Sequence, residues 1–402
     1  MSLDLNQIAS QVEKMAVHLD VDYLERQKHL AKAMSLLCDK SIDLDGLRSK
    51  IDTGKTSWMP AEPVERLSNR YSPPSTPDNF AVAAADGSQV DVDRHNSTRY
   101  FLVNIGGAYL RYGENADAVL ESLPYLYFDK ADLVMKSPDG ISREIPVEGS
   151  LLGIKRDIEE LKHLSKMAAL LEEGLPALLL ADGTLIRWNL MSKDIPEFVV
   201  DEFLEQGFLK CLDEIKKIGE NRKIALASYI SFPRSSDVVD TLRIALCPHE
   251  PVNCDKCRRN NPAGDYECSA VDGIQDKDLF QTLLDNGERS ALFISRSSIQ
   301  KRYGIHRIHF YYVKIEDEIA RIEIPQWIAE DNTLLSLTHT LILDQCRRGQ
   351  GYPVALSEAH EQAVVTTADR ENLQMLVEST LSGKNIEVHR SAKSLSKRTR
   401  WI

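Results

Sequence analysis

Two short apolar runs constrain this sequence more than anything else in it. "AVAAAD" (81–86) and "ALLLAD" (177–182) each end in an aspartate, followed by Gly and then a hydroxyl residue, Ser88 or Thr184. Compact runs of small and aliphatic residues read as strands buried on both faces. A carboxylate at the end of such a strand is partly desolvated and needs a compensating charge or hydrogen bonds. A divalent cation supplies that charge, and two such carboxylates on adjacent strands can share one. Asp-Gly alone is ordinarily a turn signal, and it occurs five times, at Asp45, Asp86, Asp139, Asp182 and Asp272. Asp86 and Asp182 differ from the rest in their apolar approach, which makes them candidate metal ligands. Gly87 is expected to turn the chain, and Ser88 to bond the Asp86 carboxylate.

A third carboxylate is expected on the helix between the two runs. "GSLLGIKRDIEELKHLSKMAALLEEG" (149–174) has a helical apolar period, with Gly174 as its expected stop. At about 100° per residue, Ile154, Ile158, Leu161, Leu164, Ala168 and Leu171 share one face. Glu160 falls at the border of that face and Asp157 inside it, while Glu159 points away. Glu160 is the chosen ligand and Asp157 its competitor. Near the C-terminus, "QGYPVALSEAHEQAVV" adds Tyr352 in a loop and His360 in the following helix. Beside its apolar neighbours His360, taken by itself, reads first as a core-facing histidine.

Residues 1–56 read as an N-terminal helical region in which Leu5, Ile8, Val12, Met15 and Leu19 recur at helical spacing. A Pro- and Ser-rich stretch, 57–80, reads as a linker. Strands and helices then alternate irregularly from 81 to 385, with closing helices near 331–348 and 356–383; an α/β or α+β architecture follows. The tail, 386–402, is basic: from Lys384 on there are six Lys or Arg and one acidic residue. It reads as a solvated tail or as a phosphate- or partner-binding one.

The net charge of −12 excludes a general nucleic-acid coat, which works by countering phosphate charge. It does not exclude an enzyme whose site requires carboxylates. "MSLDLNQIAS" carries no secretory pattern, and the apolar run "LPALLLA" is far shorter than the roughly 20 residues of a membrane helix. With seven cysteines and no secretory signal, the expectation is reduced thiols and a cytoplasmic location, with no membrane partner. "SKIDTGKTSW" ends like a phosphate-binding loop, but Ser49 stands where its first Gly belongs and no apolar strand precedes it, so no nucleotide site is assigned.

"CPHEPVNCDKCRRNNPAGDYEC" places Cys247, Cys254, Cys257 and Cys268 in one insertion, 247–268. The C-x2-C step lets two thiolates chelate one ion. Zinc is the first reading, an iron–sulfur cluster the second and four reduced thiols the third. His249 is a possible substitute ligand. The expected role is to staple a segment that lacks a core.

Five segments in order carry a family resemblance: "AVAAADGSQ", "LLLADGTLI", "DGIQDKDLFQTLLDNGERSALFISRSSI", "IHFYYVKIEDEIARIEIPQWIA" and "GYPVALSEAHEQAVVTTADREN". Together they resemble the NurA nuclease family. The resemblance implies an α/β fold with an RNase H-like mixed-sheet nuclease core over 81–385, flanking helices, the N-terminal helical segment and the cysteine-containing insertion. It implies a manganese-dependent deoxyribonuclease, with magnesium as the alternative metal, having single-strand endonuclease and 5′–3′ exonuclease activity. The family's DNA-binding members work as homodimers with a HerA-type hexameric ATPase in end resection at double-strand breaks, a DNA repair step. Asp86, Glu160, Asp182 and His360 match its metal site, and Tyr352 its catalytic tyrosine, orienting the scissile phosphate or His360. The cysteine cluster departs from the typical archaeal pattern. The competing reading is a catalytically inactive adaptor that keeps the fold and regulates a ring ATPase; retention of both aspartates, Tyr352 and His360 favours the enzyme.

Overall fold

The computed structural model describes residues 4–91, 98–138, 144–261, 264 and 266–386. The chain divides into two compact units. One comprises 1–73, 230–300 and 307–323; the other comprises 74–229, 301–306 and 324–402.

In the first unit, the N-terminal region is a single long helix, Leu5–Leu37, followed by Leu44–Thr53. The apolar stripe at the start of the long helix is exposed at Leu5, Val12, Met15 and Leu19, whereas Ala33 and Leu37 are buried. The expected linker holds two short strands. Glu62–Pro63 pairs with Phe293–Ile294, and Arg70–Tyr71 with Arg289–Ser290. Ala61 and Leu67 are buried beside them. Strands of two residues carry no readable period, so composition alone pointed to a loop. The core is aromatic: Phe280 stacks on Tyr312 with ring centroids 4.5 Å apart, and Phe293 on Phe310 at 5.6 Å.

The second unit is built on five strands: β1 (Phe80–Val90), β2 (Phe101–Tyr112), β3 (Asp117–Tyr127), β4 (Ala177–Asp182) and β5 (Ile224–Ile230). Their order is β3-β2-β1-β4-β5. β1, β2 and β3 form an antiparallel meander, and β4 and β5 continue the sheet in parallel with β1. The expected mixed sheet is present. Three more elements frame it: α1 (Ser150–Leu170), α2 (Asn332–Arg348) and α3 (Val354–Ala363). α1 ends four residues before Gly174, at a Leu171 cap.

Helices cover β1 and β2 on both faces, and adjacent glycines make this possible. A Cβ at Gly106 would stand 2.0 Å from the Ala359 carbonyl oxygen of α3. A Cβ at Gly107 would stand 2.4 Å from His163 Nε2 of α1. Consecutive strand residues point to opposite faces, so each glycine admits one helix. Ala81, Ala83, Ala84 and Ala85 keep β1 equally thin, and all are fully buried. Leu178, Leu179 and Leu180 of β4 are also fully buried, each worth about 1.5–3 kcal/mol of apolar transfer.

The expected helix over 356–383 is two helices. α3 ends at Ala363, and Thr367–Ser382 begins after a Thr366 cap whose hydroxyl and the Asp369 carboxylate bond each other's backbone. This capping box outweighs the continuous apolar period. The basic tail, except Ile386, and Asp139 lie outside the described residues.

Candidate active site

Asp86, Glu160, Asp182, Tyr352 and His360 all belong to the second unit. The parallel register Ala85↔Ala181 sets Asp86 and Asp182 on neighbouring strands, one residue further along. Asp182 closes β4, and Gly183 leaves the strand with φ +73°. That conformation suits glycine, so the turn expected after the second aspartate is there.

The turn expected after the first is not. Asp86 and Gly87 lie inside β1, which runs on to Val90 and stays paired with β2 throughout. Gly87 serves a different need. A Cβ there would meet Glu160 Oε1 at 2.6 Å and Arg156 Cγ at 2.9 Å. The missing side chain is what lets α1 bring Glu160 down onto the strand. Ser88 does not bond Asp86 either: its hydroxyl donates to the Ala363 carbonyl at the end of α3. Asn104 Nδ2 donates to the same carbonyl and to that of Gln362, each at 3.0 Å. These bonds anchor the last turn of α3, which carries His360. Neither Ser88 nor Asn104 stood out as a helix anchor in the sequence, because the carbonyls they meet are more than 250 residues away.

His360 is not a core histidine; its side chain is 66% exposed. Its Nδ1 lies 2.6 Å from Asp86 Oδ2, while Asp86 Oδ1 accepts the Gly87 backbone N–H at 2.7 Å. Tyr352 bonds Asp182 rather than His360, its hydroxyl donating to Oδ1 at 3.2 Å. The Tyr352 ring meets Tyr229 edge-on, with centroids 5.5 Å apart.

Glu160 is buried, as the border position on the helix allows. Arg156 Nε lies 3.0 Å from its Oε1, out of line for a hydrogen bond, so this oxygen is buried without one. The competitor Asp157 is committed elsewhere: Arg156 donates to it at 2.9 Å, and Arg187 is paired with it as well. Glu159, expected in water, is partly buried between Lys155 and Lys162. The cations Arg156 and Arg187 were not singled out in the sequence; the i, i+4 spacing of Arg156 and Glu160 was the available signal.

The electrostatics are those of crowded carboxylates. Burial first, then Asp157, pushes the Glu160 pKa well above the ordinary range, against the opposing pull of Arg156; Asp86 adds to the rise. Asp182 itself is exposed at the strand end; local desolvation there and then Asp86 raise its pKa, against the Tyr352 hydroxyl. Three carboxylates and an imidazole are oxygen-rich, hard donors of the kind that hold manganese or magnesium. The orphaned oxygen of Glu160 and the mutual repulsion of Asp86 and Asp182 are what a divalent cation would relieve. The donor set therefore fits the metal that the resemblance implies. In their present rotamers the donors pair off with His360, Tyr352 and Arg156. Among the described residues no three His, Cys, Asp or Glu side chains are drawn together as a metal cage.

Comparison with known proteins follows the same lines. The chain is similar over nearly its whole length to the NurA nuclease from Sulfolobus solfataricus, at 13% identity, covering 96% of this chain and 99% of that one with a TM-score of 0.52. Weaker matches are the protease–reverse transcriptase of prototype foamy virus (14% identity, 51% and 22% covered, TM-score 0.22) and LC9-RNase H1 (10%, 42% and 72%, 0.19). No curated protein sequence matches. No helix among the described residues is long and apolar enough to cross a membrane. The NurA domain model matches residues 80–365, a span that includes all five site residues, and the chain belongs to the NurA family of nucleases.

Proposed function

We propose that this nuclease is a manganese-dependent deoxyribonuclease, with magnesium as the alternative metal, and that its site is Asp86, Glu160, Asp182, Tyr352 and His360. The observation that carries the reading is the placement of Asp86 and Asp182 on adjacent parallel strands with the buried Glu160, ion-paired to Arg156, beside them. Asp86, Asp182 and Glu160 would hold the metal, with His360 as a further ligand or proton carrier. Bound there, divalent metal supplies a hydroxide at neutral pH and stabilises charge on the phosphate and the leaving oxygen.

The chain's own residues have separate tasks. Asp86 holds the His360 ring through Nδ1, which leaves Nε2 to carry a proton at the exposed edge of the site. Tyr352 fixes the Asp182 carboxylate through its hydroxyl, and its ring is fixed by Tyr229. Ser88 and Asn104 hold the end of α3 and thereby the position of His360. Arg156 and Arg187 offset the negative charge that a DNA phosphate would otherwise meet.

The reading extends to single-strand endonuclease and 5′–3′ exonuclease action, as a homodimer acting with a HerA-type ring ATPase in cytoplasmic DNA end processing. Linear duplex labelled at either 5′ or 3′ ends, and labelled single strands, incubated with manganese test it. The expected result is release from 5′ ends and internal cutting of single strands, strengthened by the ATPase and ATP. Uncut DNA under every condition would favour the inactive adaptor instead.

A further inference from the structure

The four cysteines of the insertion are arranged in a way that the nuclease site does not use. They lie in the first unit. Cys247 caps the helix Asp237–Leu246, Cys254 and Cys257 sit on the first turn of Cys254–Asn260, and Cys268 is the second residue of the turn Glu267–Val271. All four are free thiols and only partly buried. By contrast Cys211 and Cys346 are buried in the ordinary way of structural cysteines. Cys254, Cys257 and Cys268 line one cavity of about 250 Å³, together with Trp58 and Arg258. Cys247 does not line the cavity, but it packs against the same core cluster of the first unit as Cys254 and Trp58.

The segment is anchored to the core mainly through Val252, with Lys50 donating to the Cys247 carbonyl and Arg258 to the Ser57 hydroxyl. The helix Cys254–Asn260 has no buried residue. Backbone pairing at Lys55 adds to the anchoring: its N–H donates to the Val252 carbonyl at 2.8 Å and its carbonyl accepts from Cys254 at 3.0 Å. The surroundings carry both signs of charge, with Asp272 lining the cavity beside Arg258. Arg258 lines the cavity, and Arg243 stacks on Trp58 at 4.1 Å while pairing with Asp272 at 2.9 Å. Four thiolates around one divalent ion carry a net charge of about −2, part of which Arg258 can offset, Arg243 being paired with Asp240 and Asp272. His249 is exposed whereas Cys247 is partly buried against the core, so the sulfur set is preferred over one with an imidazole.

We propose that Cys247, Cys254, Cys257 and Cys268 bind one zinc ion, which staples residues 247–268 to the first unit. Cys254, Cys257 and Cys268 line the cavity, and among the described residues no three of the thiols stand at the spacing of a bound ion. Binding therefore draws the side chains inward, and the i, i+3 pair Cys254 and Cys257 supplies the first two ligands without backbone movement. The site is remote from the nuclease chemistry in kind: soft sulfur against hard oxygen.

The test is elemental analysis of the full chain after desalting, with a visible spectrum. The expected result is about one zinc per chain, no visible absorbance, and loss of zinc in Cys254→Ser/Cys257→Ser while Asp86→Ala retains it. Because the double variant could misfold, cobalt substitution of the wild type provides a second measurement, in which tetrahedral thiolate d–d bands are expected. Wild-type protein without zinc, zinc unaffected by the double variant, octahedral cobalt bands, or iron with a visible charge-transfer band would each overturn the proposal. None of these readouts depends on DNA cleavage, so the zinc site and the nuclease reading stand or fall separately.

Discussion

Gly87 and Glu160 occupy the same space: a Cβ on Gly87 would stand 2.6 Å from the Glu160 carboxylate oxygen. The contact joins β1 to α1 at the point where the second unit gathers its acidic residues. Gly87 has ordinary strand geometry, so alanine is conformationally acceptable there and the objection is purely steric. Gly87→Ala is predicted to displace Glu160 and Arg156. The expected cost is about 1–3 kcal/mol of stability and about 100-fold in the rate of DNA cleavage. Thermal unfolding and single-turnover cleavage on the same preparation check both.

Asp182→Asn should have opposite effects with and without metal. Without metal, Asp182 is an unfavourable neighbour of Asp86, so neutralising it leaves stability equal or higher. With manganese at about 100 times its dissociation constant, wild type should gain about 2.7 kcal/mol, and the variant should lose most of that gain. Unfolding midpoints of both proteins, with manganese and with a chelator, give the comparison.

Tyr352→Phe removes one hydrogen bond to Asp182 and leaves the edge-on contact with Tyr229 intact. Folding stability should change by no more than about 1 kcal/mol. If Tyr352 positions the Asp182 carboxylate, kcat should fall by about tenfold, equivalent to about 1.4 kcal/mol, with KM for DNA nearly unchanged. A rise in KM at constant kcat would place the hydroxyl on the substrate instead.

Asp276 in the first unit gives a pH dependence. Its carboxyl is fully buried, accepts the backbone N–H groups of Val238 and Val239, and accepts the Tyr312 hydroxyl at 2.7 Å. Burial, with the nearby Asp237 charge, pushes its pKa up to about 7, against those hydrogen bonds. Asp237 is itself paired with Arg321. Between the unfolded value near 4 and about 7, the folded state keeps a proton that the unfolded state has lost. Stability from this group is therefore full at low pH and falls as pH rises through that window, by on the order of a few kcal/mol. Asp276→Asn should lose this slope. Urea midpoints of both proteins across the window, subtracted from one another, isolate it from other titrating groups.

How much of this could be read from the sequence depends on the range of the interactions. The two aspartates were visible because their strands are buried on both faces and read as unbroken apolar runs. Glu160 was visible because a helix has one period, and Asp157 could be told from it only once Arg187 was seen to claim it. Tyr352 and His360 came from the family resemblance, and their partners Asp182 and Asp86 came from the structure. What stayed hidden was long-range. Gly87 looked like a turn because the helix it accommodates is more than 60 residues on. Ser88 looked like a neighbour of Asp86 because the Ala363 carbonyl it serves is 275 residues away. The two-residue strands of 62–63 and 70–71 were invisible for the same reason, since only their partners make them strands.

The central claim is that Asp86 and Asp182 are the core of one metal-dependent nuclease site. The most direct test is cleavage of end-labelled linear DNA in manganese by wild type and by Asp86→Asn at equal folded concentration. The account predicts cutting by wild type, its loss when manganese is chelated, and a fall on the order of a thousandfold or more in the variant. A variant that cuts as fast as wild type would contradict it.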